Sequence, residues 1–420
     1  MKRQPLLITA LLLSLMGCSG TQWQGHPKPS SDTIALALGA DDSQIDLWDL
    51  PVDTLPSFPV PQNVRPCCAF GNLQKVRLGK MPIPLFRLGN TVDADKLGPH
   101  KFDGGTFNYT SSGASTSGRG GSENNGMIYT QRGGFIDLAH VRDTADDTVA
   151  LFFEIVRHLG NEHTIELIDE IGHRYIQLHA FETDSLHPQE RWHLAAELAA
   201  RLAYFKAESH EIAQWHGYAS FAGWPETVSA YSPEDLYSNM LGAKLTRALL
   251  SANLVLNSEL YNQSLTVWLE ETLHWLGAVD KKNTNALFDA IDGHWWDSSR
   301  PIPDKFMVIK RHYQLGDQQV PYLVPEALAR ASGQWSRLES LFPAENAPHP
   351  LALRQQMYGF ELDELATLEM RVADKYRDSF GTFPVELWKQ GFSHREFHQI
   401  ALWAEKEDAR QLATLESKGR

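Results

Sequence analysis

Cysteine is scarce. Cys18, Cys67 and Cys68 are the only three in 420 residues, which excludes a disulfide-stapled scaffold and leaves the fold to be held by an apolar core. The two strong zinc-site spacings, His-Glu-x-x-His and paired Cys-x-x-Cys, are both missing. Basic charge is in deficit, with 38 Lys and Arg against 52 Asp and Glu and a formal net charge of -14. That balance excludes nucleic acid or an anionic lipid surface as the main partner. No run approaches the ~18 uninterrupted apolar residues of a permanent membrane span. What is present is the composition of a folded globular protein, 42% hydrophobic and 21% charged, on a chain long enough for one large or two ordinary domains.

The amino terminus carries an address. Lys2 and Arg3 precede an apolar run from Leu6 to Leu15, and Leu15-Met16-Gly17-Cys18 follows, the layout of a secretion signal. That ending is similar to the lipobox of bacterial lipoproteins, in which the Cys thiol is lipidated and the leader is cut off before it. Met16 is a mild departure, and Ser19 after the Cys favours the outer membrane in that resemblance. The expectation is therefore a periplasm-facing protein anchored to the outer membrane through Cys18, because each buried acyl CH2 contributes ~0.8 kcal/mol. Residues 1–17 read as signal peptide and 18–50 as a lipidated tether. Residues 51–420 read as a single large helical domain with a core at 127–279 and a C-terminal part at 280–420. In an oxidising compartment Cys67 and Cys68, adjacent in Arg-Pro-Cys-Cys-Ala-Phe-Gly, form a vicinal disulfide, lie as two buried thiols, or supply a reactive thiol.

Periodicity organises the rest. Five prolines between Pro51 and Pro66 impose extended coil. Asp103 to Gly126 is dominated by Gly, Ser, Asn and Thr and has little to bury, so it is a lid or disordered. A strand over Met127 to Tyr129 enters the Gly133-Gly134 turn. Helical spacing then runs from Phe135 to Leu159, from Pro188 to Trp215, from Ser232 to Ala252 and from Ser258 to Leu276. A hairpin is expected over Thr164 to Phe181, another near Phe306 to Val324, and two helices near Leu362 to Arg377 and His394 to Leu415. The fold class that follows is mainly α within α+β: an antiparallel helical bundle with small hairpins and one long Gly/Ser-rich loop.

Short connections favour antiparallel neighbours, and polar residues collect at the ends that such packing brings together. Asp137 and His140 stand i,i+3 at the start of the first helix. Glu208 and Glu211 lie near the end of the second, beside His210 and His216, where acids oppose the helix dipole. Glu234 and Asp235 open the third, and Glu271 and His274 close the fourth. Carboxylate and imidazole from several helices are the donor set of carboxylate-rich metal sites. The reading is Asp137, His140 and His210 as ligands for zinc, iron or manganese, with Glu211 as general base and Glu208 as the other catalytic candidate. Blander roles compete: Asp235 as a helix cap, Glu271 and His274 as solvated surface, His216 as a satisfied core histidine. The Gly133-Gly134 turn near Arg132 and Arg142 holds an anion or is a tight structural turn. Trp295 and Trp296 stack on a sugar or fill a core edge.

Several segments together resemble a known family. Arg-Pro-Cys-Cys-Ala-Phe-Gly (65–71), Arg-Leu-Gly-Asn (87–90), Leu-Gly-Pro-His (97–100), Arg-Gly-Gly-Phe-Ile-Asp-Leu-Ala-His-Val-Arg-Asp (132–143), Ser-His-Glu-Ile-Ala-Gln-Trp-His-Gly (209–217), Ser-Pro-Glu-Asp-Leu-Tyr-Ser-Asn (232–239) and Trp-Trp-Asp-Ser-Ser-Arg (295–300) resemble a bacterial family of uncharacterised lipoproteins, domain of unknown function 4056. The resemblance implies kinship and location, and no catalytic residue. Glu208-Ser209 is also similar to the Glu-Ser of lytic transglycosylases, although His210-Glu211-Ile212 departs from their apolar continuation. Three functions are expected to compete: a metal-assisted hydrolase of a cell-envelope component, a metal-free glycan-cleaving enzyme using Glu208 or Glu211, and a non-catalytic lipoprotein that binds peptidoglycan or envelope proteins through the Trp295-Trp296 turn.

Overall fold

The computed structural model describes residues 28–39, 55–65, 71–78, 81–88, 91–102, 123–219, 226–343 and 347–418. Cys18, Cys67, Cys68 and most of the Asp103 to Gly126 loop lie outside the described residues. The chain is α+β, with long helices and several small antiparallel sheets. Among the described residues no helix is long and apolar enough to cross a membrane.

A short helix, α1 (Ser31–Leu38), precedes a hairpin of β1 (Gln74–Leu78) and β2 (Met81–Leu88). A second hairpin, β3 (Met127–Thr130) with β4 (Gly134–Asp137), leads directly into α2 (Leu138–His158). The helix expected from Phe135 thus begins three residues later. Asp137 takes the N-cap, its carboxylate accepting from the N–H groups of Ala139 and His140, and a residue in that role has extended backbone. After α2 come β5 (His163–Glu166) and β6 (Gly172–Leu178), the hairpin read from the alternation. Helix α3 (Pro188–Trp215) has the bounds its spacing predicts, opened by Pro188 and by Glu190, which accepts from the His187 N–H at 2.8 Å. Helices α4 (Asp235–Ser251), α5 (Ser258–Trp275) and α6 (Lys281–Ala290) follow.

The C-terminal part departs most from its periodicity. Ala366–Val372 is a strand, β7, where a helix is expected, and it pairs along its length with β6, from Ala366 opposite Leu178 to Val372 opposite Gly172. Only a short helix, Leu362–Leu365, precedes it. Leu368-Glu369-Met370-Arg371 alternates inward and outward, and a free sheet edge on β6 decides in favour of that period over the helical one. With β8 (Phe392–Ser393) the sheet order is β8-β7-β6-β5. The hairpin expected within Phe306 to Val324 does not form: Gln318–Gln319 pairs instead with Leu351–Ala352. Helix α7 (Phe397–Lys418) closes the chain.

Two apolar clusters hold these elements. The larger unites α2, α3, α4 and α5 with the inner face of the four-stranded sheet. The smaller gathers Tyr129, Phe135, Phe288, Trp295, Trp296 and Leu338. Helices α2 and α4 cross closely at Gly242, where a Cβ would stand 2.1 Å from the Val141 carbonyl oxygen. This contact lays the first turns of α4 against the start of α2 and sets the geometry of the polar centre.

Candidate metal centre

Two helix starts and one helix end converge. The Asp137 N–H donates to Ser238 Oγ of α4 at 2.9 Å, and Asp137 Oδ1 accepts from Ala139 N at 2.8 Å. One turn into α2, His140 Nδ1 lies 3.2 Å from Asn239 Oδ1, which also accepts from Thr144 Oγ1 at 2.8 Å. An oxygen acceptor at that position puts a proton on Nδ1 and directs Nε2 toward Asp235, 3.3 Å away. Asp235 Oδ2 accepts from Ser232 Oγ at 2.7 Å, whereas Oδ1, fully buried, accepts no hydrogen bond at all. At 3.3 Å, Nε2 and Oδ1 stand at the spacing both of a protonated imidazole paired with a carboxylate and of two ligands of one ion. Ligands at ~2.0–2.2 Å in a tetrahedron are about 3.3 Å apart. One donor atom from each of Asp137, His140 and Asp235 lies within 4.8 Å of the others.

The surroundings are anionic and dry. Asp137, Glu211 and Asp235 are each 0% exposed, and His140 is 8% exposed. Glu211 Oε2 accepts from the Tyr231 N–H at 2.6 Å, while Glu211 Oε1 is buried with no donor. Burial, reinforced by Asp235, pushes the Glu211 carboxyl up to about 8. Burial likewise raises Asp137 to about 6, with His140 opposing and Asp235 adding to the rise. Asp235 and the neighbouring Glu234 are raised for the same first cause. His140 responds in the opposite sense: burial disfavours its charge, but Asp235, Asp137 and Glu211 override it and raise the imidazole to about 9. Arg311 is near enough to act on Glu211 and Asp235, yet it donates to the carbonyls of Ala230 and Val228. Carboxylates therefore outnumber the cations that face them, and such a cluster is relieved by taking up protons or a cation.

The group of neighbouring donor atoms differs by one member from the ligand set read in the sequence. His210 is turned away from it: Nδ1 lies 2.9 Å from Glu170 Oε1, itself 2.7 Å from Arg174, and Nε2 lies 2.9 Å from Gln214 Nε2. Asp235 stands in its place. Weighed in the sequence as a cap, Asp235 is the first helical residue of α4, and Glu234 occupies the N-cap without capping through its side chain. Two successive acids at the start of a buried helix were the available signal, since both cannot face solvent. Asn239 and Tyr231, which orient His140 and Glu211, gave none.

The other candidates separate. Glu208 Oε1 accepts from the Gly316 N–H at 2.7 Å, and its carboxyl lies against the Tyr204 hydroxyl. It is 0% exposed, beneath an open groove of about 470 Å³ lined by Tyr313, Gly316, Asp317 and Tyr322. Glu271 pairs with Lys28 at 2.6 Å and His274 is half-exposed, so that helix end is solvated surface. His216 is a core histidine stacked on Phe380, ring centroids 3.5 Å apart. At the Gly133-Gly134 turn a Cβ on Gly134 would stand 2.3 Å from the Tyr322 carbonyl oxygen. Arg132 lies over the Trp275 ring and Arg142 donates to Asn125 and Leu97, so the turn is structural. Trp295 and Trp296 are buried in the smaller core, Trp296 Nε1 donating to the Phe288 carbonyl at 2.9 Å, and offer no exposed contact.

Residues 55–325 match the family model described as Protein of unknown function (DUF4056). No curated protein and no solved structure matches the chain.

Proposed function

Because the chain belongs to the family of unknown function DUF4056, which brings no activity with it, we propose from the centre itself that this is a metal-assisted hydrolase of a cell-envelope component, carried on the outer membrane by a lipid on Cys18. The observation that carries the reading is Asp235 Oδ1, buried without a donor 3.3 Å from His140 Nε2. Asp137, His140 and Asp235 would hold one divalent ion. An imidazole with two carboxylates suits zinc, iron or manganese. Bound there, the ion would supply Lewis acidity and bring a coordinated water near neutral pKa. Glu211, with one carboxylate oxygen free of donors, would take the proton. His140 keeps about a tenth of its side chain exposed, which gives water an edge by which to enter. In this reading the long helices run as an antiparallel bundle, which is why the starts of α2 and α4 meet the end of α3.

Metal analysis of the untagged full chain tests the proposal. The wild type is expected to hold one equivalent of zinc, iron or manganese more than His140→Ala or Asp235→Asn, and Glu211→Gln to hold as much as the wild type. Release of soluble fragments from purified envelopes should depend on that metal and vanish in Glu211→Gln. A wild-type chain that takes up no more of the three ions on reconstitution than His140→Ala does would remove the reading.

A further inference from the structure

A second cluster of ligating side chains stands at the far end of α2. Glu154 and His158 are i,i+4 neighbours on its last turns. The chain then turns back through Gly160, with the Asn161 N–H donating to the His158 carbonyl at 2.9 Å, and sets His163 at the start of β5 beside them. The His158 and His163 rings lie 3.6 Å apart between centroids, inclined by 8°. One donor atom from each of Glu154, His158 and His163 falls within 4.8 Å of the other two. All three are half-buried, and among the described residues neither imidazole is committed to a hydrogen bond. Among the described residues Glu154 has one loose ion pair, 3.8 Å to Arg157.

Residues 140 and 158 are about 27 Å apart along a helix rising 1.5 Å per residue, so this cluster is separate from the Asp137 centre. It differs in chemistry as well. Two imidazoles and one carboxylate at a wet surface suit a borderline ion, and nothing around them demands charge neutralisation in the way the buried acids do. We propose that Glu154, His158 and His163 form a second, solvent-accessible site for zinc, copper(II) or nickel, with an open coordination position, that ties β5 to the end of α2. A metal lies in the plane of each imidazole that binds it, so the two rings would have to turn out of their parallel stack. Both are only half-buried, so part of each ring already faces solvent.

Titration of the untagged full chain with zinc against a chromophoric competitor tests this. Two independent equivalents are expected for the wild type. His158→Gln combined with His163→Gln should lose one, with affinity at that site down at least a hundredfold. Asp235→Asn with His140→Ala should lose the other and keep this one, so failure of the buried centre does not decide the surface site. Copper(II) added to the Asp235→Asn, His140→Ala chain should give an electron paramagnetic resonance signal with two-nitrogen hyperfine structure. Unchanged zinc stoichiometry in the His158→Gln, His163→Gln chain, with circular dichroism as for wild type, would overturn the proposal.

Discussion

Replacing Glu208 by Gln should stabilise the protein at neutral and alkaline pH and leave any envelope-degrading activity intact. Glu208 is wholly buried, and burial is the first cause that pushes its carboxyl from 4.5 up to about 8, against the opposing pull of the Gly316 N–H and the Tyr204 hydroxyl. In the unfolded chain the same carboxyl has its ordinary value. Between those two values the folded state holds a proton that the unfolded state has released, so stability falls as pH rises through this window. Linkage gives a penalty of roughly 3 kcal/mol at pH 7, approaching about 5 kcal/mol above pH 8. Gln keeps an oxygen for the Gly316 N–H and offers its amide to the Tyr204 hydroxyl oxygen, so the strut between α3 and the 314–317 segment survives without the titration. Urea unfolding of both chains from pH 5 to pH 9, in the presence of a chelator, measures the difference directly. The two stability profiles should lie within about 1 kcal/mol of each other at pH 5 and diverge progressively above it. Parallel profiles across the whole range would refute the reasoning. Loss of fragment release from sacculi with the fold intact would instead assign Glu208 a chemical role that its burial does not explain.

His216 titrates in the opposite sense. Burial pushes its imidazole down to about 3, so the protein should lose stability as pH falls below about 6.5, by roughly 2 kcal/mol at pH 5. His216→Phe, which keeps the stack on Phe380, should flatten that acid limb in unfolding titrations at pH 7 and pH 5. Gly242→Ala should destabilise the protein by about 1–3 kcal/mol despite the better helix propensity of Ala, because the added Cβ meets the Val141 carbonyl oxygen at 2.1 Å. The same displacement moves Ser238 and Asn239 off Asp137 and His140, so metal affinity should fall with the denaturation midpoint.

Local pattern was legible wherever one period dominated. The bounds of α3, the β5–β6 hairpin and the placement of α4 and α5 follow from apolar spacing and caps, because a helix or strand that buries one face writes its own period into the chain. That Asp137, His140 and Glu211 lie close enough to act on one another was also expected, from polar residues collecting at helix ends. What sequence left open was orientation about each helix axis. His210 and Glu211 are adjacent on α3, yet Glu211 faces the acids at the starts of α2 and α4 while His210 turns to Glu170. Asp235 could be read as a cap or a ligand from its position alone, and only the approach of α2 at Gly242 buries it against His140. Likewise Ala366–Val372 carries both periods, and a free edge on β6 selects the strand. Composition and periodicity are local properties and determined the elements. Which side chain loses its water depends on the partner laid across it, and that was decided by the tertiary structure.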